Sequence, residues 1–404
     1  MSRFMTSAIV IAAMGMGGAT SAYAQDAEGD FTLTPFADVR ARYEHVDQPA
    51  KDANAVTLRL RAGAEVKKGA FSILAEGEGT MALSDGFNAF PFPVSDEQRR
   101  PEHSVIADPN NLELNRLQAA WSQDGHTVTL GRQRINLDDQ RWVGAVAWRQ
   151  NEQTFDAVRG EFGIGEATLD LTYSNGQRTL FGEDAEARTE FEGDFLFGGI
   201  GGDIGRFKAK AFTYLLDYDE AFMLANSSQT YGVLLDGAVA LDETTDLKLK
   251  ASFARQADYG DNPVDYAASY WNVEAGAGYS IINARVGIEQ LGSDDGAPVR
   301  TPMATLHKFN GWADMFLATP AYGLNDKYAA VGIDLGSVVK SMKAQLVYHE
   351  FESTVGDMDY GEEWDASLGF NLGKVGLLAK YARYRADTYA VDTEKVWFQA
   401  QYKY

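Results

Sequence analysis

An all-β fold, a transmembrane antiparallel up-and-down β-barrel, is what this chain predicts, and three observations predict it. The N-terminus reads as an export signal, apolar residues alternate at period two along the rest of the chain, and short connections alternate with long ones.

The first observation rests on Arg3, the apolar run Ala8 to Met16, and the small-residue pattern Ala22-Tyr23-Ala24 just before Gln25. This is the pattern of a cleaved signal peptide over residues 1–24. The run is shorter than the roughly 20 residues a membrane helix needs. Beyond Gln25 no apolar stretch is long enough to span as a helix, so the chain is periplasmic, secreted or inserted as strands. No Pro-, Ser- or Gly-rich linker divides residues 25–404, which reads as one domain.

Composition removes several function classes. With no cysteine, disulfide frameworks, thiolate metal sites and cysteine nucleophiles are out. A net charge of −22 argues against nucleic acid, which wants a basic footprint.

The second observation is complete separation of faces. Ala37, Val39, Ala41 and Tyr43 stand against Asp38, Arg40, Arg42 and Glu44, and Val56, Leu58, Leu60, Ala62 and Ala64 against Thr57, Arg59, Arg61, Gly63 and Glu65. The segments at 167–173, 270–279 and 395–404 repeat it. Leu58, Leu169 and Val273 then face lipid, where arginine is costly, while Thr57 and Thr168 face inward and should tolerate it.

A soluble sandwich also alternates, so connection length carries the third observation. Short turns fall at Lys67–Gly69, Gln123–Gly125, Gly163–Gly165, Gly199–Gly205, Asp242–Thr245, Ile281–Asn283, Gly336–Ser341 and Gly373–Lys374. Longer polar connections lie between them, the longest at 84–110 and 293–326. Strict alternation is what a barrel shows when one rim faces the periplasm. About eighteen strands result, with sixteen also compatible. Tyr43, Trp121, Tyr173, Tyr279, Trp364 and Tyr381 near strand ends fit interfacial girdles, although aromatics favour strands anywhere. The last strand ends in Tyr404, which resembles the signal read by the barrel-assembly machinery. The expected location is the outer membrane of a Gram-negative bacterium, among its lipid and lipopolysaccharide.

A channel fixes charged side chains at a narrow waist, where solutes lose hydration. Arginines grip carboxylates with two parallel hydrogen bonds, which lysines do not. The candidate pore-lining residues are Arg40, Arg42, Arg59, Arg61, Arg116, Arg132, Arg134 and Arg285. Leu130 reads as lipid-facing and would turn Arg132 and Arg134 outward too, unless Gly131 marks a bulge that reverses the register. The plainer reading of any one of these is a wall ladder of arginines and carboxylates that neutralise each other.

The loop at 293–326 is too apolar for an ordinary outer loop: it holds Met303, Leu306, Phe309, Trp312, Met315, Phe316, Leu317, Tyr322 and Leu324. Folding inward would bury that surface and narrow the lumen with His307, Lys308, Trp312 and Asp314. A core among the outer loops or a contact with lipopolysaccharide is the alternative.

Three segments carry a more specific likeness. Leu130-Gly131-Arg132-Gln133-Arg134-Ile135-Asn136 continues through Asp138, Asp139, Arg141, Trp142 and Val143 to Trp148-Arg149-Gln150 and Gln153-Thr154-Phe155-Asp156-Ala157. His307 to Asp314 with Gly323-Leu324-Asn325-Asp326, and Tyr360-Gly361-Glu362-Glu363-Trp364-Asp365, follow in order. The chain resembles the alginate-export family of outer-membrane channels, which implies an eighteen-stranded barrel and an anionic polyuronate as one cargo. The inward faces depart from a strongly basic lumen by mixing Lys208, Lys210, Lys248, Lys250 and Arg285 with Glu76, Glu78, Asp170, Glu274, Glu289 and Asp365. The expectation is therefore broader: a porin-like channel for passive passage of a small or oligomeric hydrophilic, anionic solute, with no cofactor and no metal. The alternatives are a barrel hydrolase and a structural or adhesin barrel. A hydrolase needs a histidine with Ser or Asp partners, and none of His45, His103, His126, His307 and His349 stands in such an arrangement along the sequence.

Overall fold

Eighteen antiparallel strands close into one barrel in the computed structural model, which describes residues 31–404. The signal-peptide expectation for residues 1–24 lies outside the described residues. In chain order the strands are β1 (Thr32–Gln48), β2 (Lys51–Lys68), β3 (Phe71–Ala82), β4 (Asn111–Gln123), β5 (His126–Gln133) and β6 (Thr154–Ile164). There follow β7 (Ala167–Arg178), β8 (Glu190–Ile204), β9 (Phe207–Tyr218), β10 (Ser228–Ala240), β11 (Thr245–Asp258) and β12 (Ala267–Tyr279). The last six are β13 (Ile282–Leu291), β14 (Leu324–Asp334), β15 (Lys343–Glu352), β16 (Asp359–Leu372), β17 (Val375–Ala386) and β18 (Thr393–Lys403). Each strand pairs with its sequence neighbour, and β18 pairs with β1 from Asp38↔Lys403 to Asp47↔Glu394, so no edge is left unpaired.

The expected register holds. Leu60, Leu171, Val233, Val273 and Phe398 are exposed on the outer face, while Arg40, Arg59, Thr172, Asn272 and Trp397 point inward and are buried. Tyr279 is exposed at the end of its strand, where an amphipathic ring suits a membrane interface, whereas Tyr173 and Trp364 are exposed in the interior of theirs and not at the ends expected. Each of the eight expected short turns lies at or within a few residues of a turn between strands. One of the two-residue turns, Asp124–Gly125, takes positive φ at both positions, 53° and 79°. That is the primed hairpin geometry, and it matches the strand twist.

Two expectations about connections need correction. On the rim with the long loops, β1 and β2 are joined by Pro49 and Ala50 alone, so short and long do not alternate strictly. Those strands run to 17 and 18 residues and rise as a hairpin where other pairs carry loops. The long connection expected at 293–326 ends earlier, because Leu324, Asn325 and Asp326 already pair with β13.

The core is inside the barrel. Inward Phe155, Phe195, Phe197, Tyr214, Tyr270, Phe351, Tyr384 and Trp397 pack with Ile135, Leu137, Trp142, Met303 and Phe316 from two inward-folded loops. A lumen this wide cannot be filled by wall residues alone. The loop at 83–110 forms a second cluster, with Phe87, Phe90 and Ile106 packed on Val46, Ala53 and Ala55 of the β1–β2 hairpin.

Candidate functional site

Two loops meet inside the lumen. The loop between β5 and β6, residues 134–153, and the loop between β13 and β14, residues 292–323, are joined by Gly144 N donating to Met303 O at 2.9 Å and Thr305 N to Gln140 O at 3.1 Å. Gln153 Nε2 also donates to Met303 O at 2.8 Å. Neither loop is an outer cap.

The first loop lies against β1 and β2, and three of their arginines donate to it. Arg40 Nη1 donates to the carbonyls of Ala147, Trp148 and Arg149 at 3.1, 3.2 and 3.2 Å. Arg42 Nη2 donates to Trp148 O at 2.5 Å, and its guanidinium lies 4.1 Å from the Trp148 ring centroid. Arg61 donates to Gln150 O at 3.3 Å and pairs with Glu78 and, at 3.0 Å, Glu152. Arg59, fully buried, holds Asp38 at 2.7 Å. In return Arg149 reaches Glu44 at 3.1 Å and Asp314 at 3.0 Å, with Asp108 of the 83–110 loop 3.9 Å away. Its guanidinium is held protonated: burial works against the charge, and Glu44, Asp108 and Asp314 outweigh it.

The remaining candidate arginines separate. Arg116 clasps Glu76 with two hydrogen bonds, at 2.9 and 2.8 Å. Gly131 sits at φ 109°, and an added Cβ would lie 2.4 Å from Leu117 O, so only glycine fits there. The ladder nevertheless runs through it on both sides without a register shift, and the expected reversing bulge is not formed. Beyond it Arg134 turns into the lumen onto Glu152, whose carboxyl is held below its ordinary range by Arg61 and Arg134 despite burial. Arg132 stays in the ladder opposite Leu117 and pairs with Asp156 at 2.6 Å, away from that cluster. Arg285 pairs with Glu274 at 3.3 Å and remains over a third exposed.

The second loop brings in His307, Lys308, Trp312 and Asp314. His307 Nδ1 lies 2.7 Å from Asp314 Oδ1, its Nε2 lies 2.8 Å from Lys380 Nζ, and its ring stacks on Trp148 at 4.3 Å. Since an ammonium only donates, Nε2 must accept, so the proton sits on Nδ1 and the ring is neutral. Burial first, with Lys380 adding to it, pushes His307 down to about 3. Asp314 is held well below the carboxylate range despite burial, by His307 and by Lys395 at 3.0 Å. Lys380 Nζ also lies over Trp148 and Trp312, at 4.1 and 3.8 Å from the ring centroids.

The peptide after it is docked on wall carboxylates. Ala313 N donates to Glu363 at 2.7 Å, Trp312 N to Asp365 at 3.2 Å, and Asn310 Nδ2 to Glu289 and Asp326 at 2.8 and 3.1 Å. A Cβ on Gly311 would come within 2.4 Å of Glu363, so this approach needs glycine. His349 Nδ1 contacts Asp326 at 2.8 Å. Spacing along the sequence had shown no His–Asp pair: the His349 partner comes from a neighbouring strand, and His307 and Asp314, seven residues apart, are brought together by the fold of their loop. Among the described residues no serine hydroxyl bonds to either buried ring.

Open space remains beside the loops. A cavity of about 690 Å³ is lined by Lys250, Glu274, Arg285, Lys308, Trp312 and Lys380. The loop at 134–153 was not singled out by length, yet it accounts for the burial of Arg40, Arg42 and Arg61. Its signal was the absence of alternation across some twenty residues between two alternating strands.

A closed eighteen-stranded barrel with loops folded into its lumen is a porin-like outer-membrane protein. A profile described as alginate export matches residues 37–287, more than half of the chain, and the chain belongs to that family. No curated protein matches it in sequence. Among solved structures it is similar to OccAB2 of Acinetobacter baumannii, at 15% identity and TM-score 0.74 over 92% of this chain and 98% of that one. It is also similar to OpdK of Pseudomonas aeruginosa, solved with vanillate, at 13% identity and TM-score 0.70 over 92% and 98% of the two chains.

Proposed function

We propose that the chain is a passive outer-membrane channel whose cargo is a small hydrophilic, carboxylated solute, such as a saccharide acid. The observation that carries this reading is the lumen cavity, whose lining combines the cations Lys250, Arg285, Lys308 and Lys380 with the indole of Trp312. Cations meet a carboxylate, and an indole face suits a sugar ring or an aromatic ring. Membership of the alginate-export family supports an anionic saccharide, and the vanillate in OpdK is a ring-bearing carboxylate. Asp139, Glu274, Glu289 and Asp326 line the same cavity, so bulk ion preference is weak and discrimination is local. In this reading the signal peptide exports the chain, the barrel-assembly machinery inserts it, and membrane lipid and lipopolysaccharide cover the apolar outer belt.

The test is a planar bilayer. Reconstituted protein is expected to give ohmic steps in potassium chloride that galacturonate or vanillate reduces at concentrations where glucose has no effect. Equal effects of the acids and glucose would remove the carboxylate preference, and absence of steps would remove the channel.

A further inference from the structure

The loop at 134–153 places two adjacent carboxylates, Asp138 and Asp139, against the opposite wall of the lumen. Asp138 lies at φ 52° and Gln140 at φ 70°, a region costly for residues other than glycine, so contacts hold the tip in shape. Lys210 Nζ on β9 lies 2.8 Å from Asp138 Oδ1, and Tyr214 OH donates to Asp138 Oδ2 at 3.2 Å. Lys250 on β11 pairs with the Asp139 carboxylate, and Lys308 from the other loop donates to Asp139 O at 2.7 Å. The cluster stands where two cavities meet. Asp139 and Lys250 line both the cavity of about 690 Å³ and a second of about 570 Å³ that runs along β7 to β11. Both ion pairs stay wet, with side-chain exposure of 20% and 16% in one and 22% and 22% in the other.

We infer that Lys210, Lys250 and Lys308 form a carboxylate-binding site that Asp138 and Asp139 occupy as built-in ligands, and that a small dicarboxylate in transit takes it by displacing the tip. The inference rests on the channel reading above and names a site within it. An aspartate side chain is chemically an acetate on a tether, and two in succession offer two carboxylates to the ammoniums of Lys210 and Lys250. Succinate carries the same two groups in one small molecule. Lysine suits an exchangeable site, because its hydrated ammonium makes single contacts that water can replace. Tethering gives the aspartates a high local concentration, so a free solute binds only to the fraction of molecules whose tip has withdrawn. Glu166, Asp170, Asp203 and Asp236 line the rest of the second cavity, which confines an anion's stay there to the lysines.

Three proteins decide it: wild type, D138N/D139N and K210Q/K250Q, each shown to be folded by heat-modifiable gel migration. Asparagine tolerates positive φ as aspartate does, so the first pair removes charge and keeps the backbone. Succinate binding is read by calorimetry in detergent, and succinate block by chloride current in a bilayer. D138N/D139N is expected to bind succinate and be blocked by it at least about tenfold more tightly than wild type, since the competing ligands are gone. K210Q/K250Q should show neither binding nor block. Equal affinity in wild type and D138N/D139N, or binding retained in K210Q/K250Q, overturns the site while the chloride current still upholds the channel. No current from any of the three overturns the channel reading, and calorimetry still decides the site.

Discussion

The two walls of this lumen carry cations of different kinds, and the kinds do different work. On β1 and β2 the charges are sealed arginines, Arg42 beneath the 134–153 loop and Arg59 against Asp38, with side-chain exposure of 1% and 0%. On β9 and β11 they are lysines that remain wet, at 20% for Lys210 and 22% for Lys250. A guanidinium offers several donors in a fixed fork, so Arg61 can reach Glu78, Glu152 and the Gln150 carbonyl with three different nitrogens at once. That is the chemistry of a permanent anchor. An ammonium is a point charge whose contacts exchange with water, which suits a place where something passes.

The sharpest way to break the comparison is to remove one anchor. Arg149→Ala leaves Glu44, Asp108 and Asp314 facing one another without their shared counter-ion. Loss of one partner from a buried network costs about 3 to 5 kcal/mol. Urea unfolding in lipid should show that loss, and the bilayer a larger conductance as the loop leaves the lumen. Lys210→Gln on the other wall removes a pair that water still reaches, at 20% and 16% side-chain exposure, and should cost clearly less than Arg149→Ala. Similar costs on the two walls would erase the distinction between anchor and transit site.

A smaller effect tests which face each residue occupies. Leu171→Arg puts a charge into lipid at a cost of about 2 to 4 kcal/mol near the midplane, whereas Thr168, open to the second cavity, should accept arginine with little change. The expected tolerance at Thr57 is withdrawn. Its hydroxyl accepts Gln150 Nε2 at 2.8 Å beneath the loop, and it has no room. Refolding measured in lipid vesicles compares the three variants, and equal losses at Leu171 and Thr168 would refute the register.

Thr57 and Thr168 also show where sequence reading stops. Both lie on the inner face by the same period-two rule, and the rule is local, which is why strands, turns and faces were legible. Whether an inward side chain meets water or protein depends on which distant loop lies over it. The arginines illustrate this: alternation pointed Arg40 and Arg61 inward, but only loop 134–153 decides that Arg40 Nη1 and Arg61 Nη2 are spent on its carbonyls. The apolar content of 292–323 did signal an inward fold, because Trp312 and Phe316 need cover from water and the lumen supplies it. The acids at Glu363 and Asp365 that receive its backbone carried no such signal, since their role is set by a loop some fifty residues away.

The smallest effect tests the anchored side by pH. His307 belongs to that side, stacked on Trp148 of the anchored loop, and it faces Asp314, Arg149, Lys380 and Lys395 together with the Trp397 ring. As a docked residue it titrates near 3, against an ordinary value of 6.5. A released loop therefore takes up a proton below 6.5 that the docked loop refuses, and each pH unit below that point favours release by about 1.4 kcal/mol. Above 6.5 the term vanishes, because the ring is neutral in both states. Lowering the pH from 7.5 to about 5 is then expected to lengthen the time spent in a larger conducting state. Above that pH most exposed carboxylates keep their charge. Glutamine can donate to Asp314 and accept from Lys380 without titrating, so His307→Gln should keep the loop docked and flatten the response. A pH response of the same size in His307→Gln would assign the proton to another group and leave His307 as part of the anchor alone.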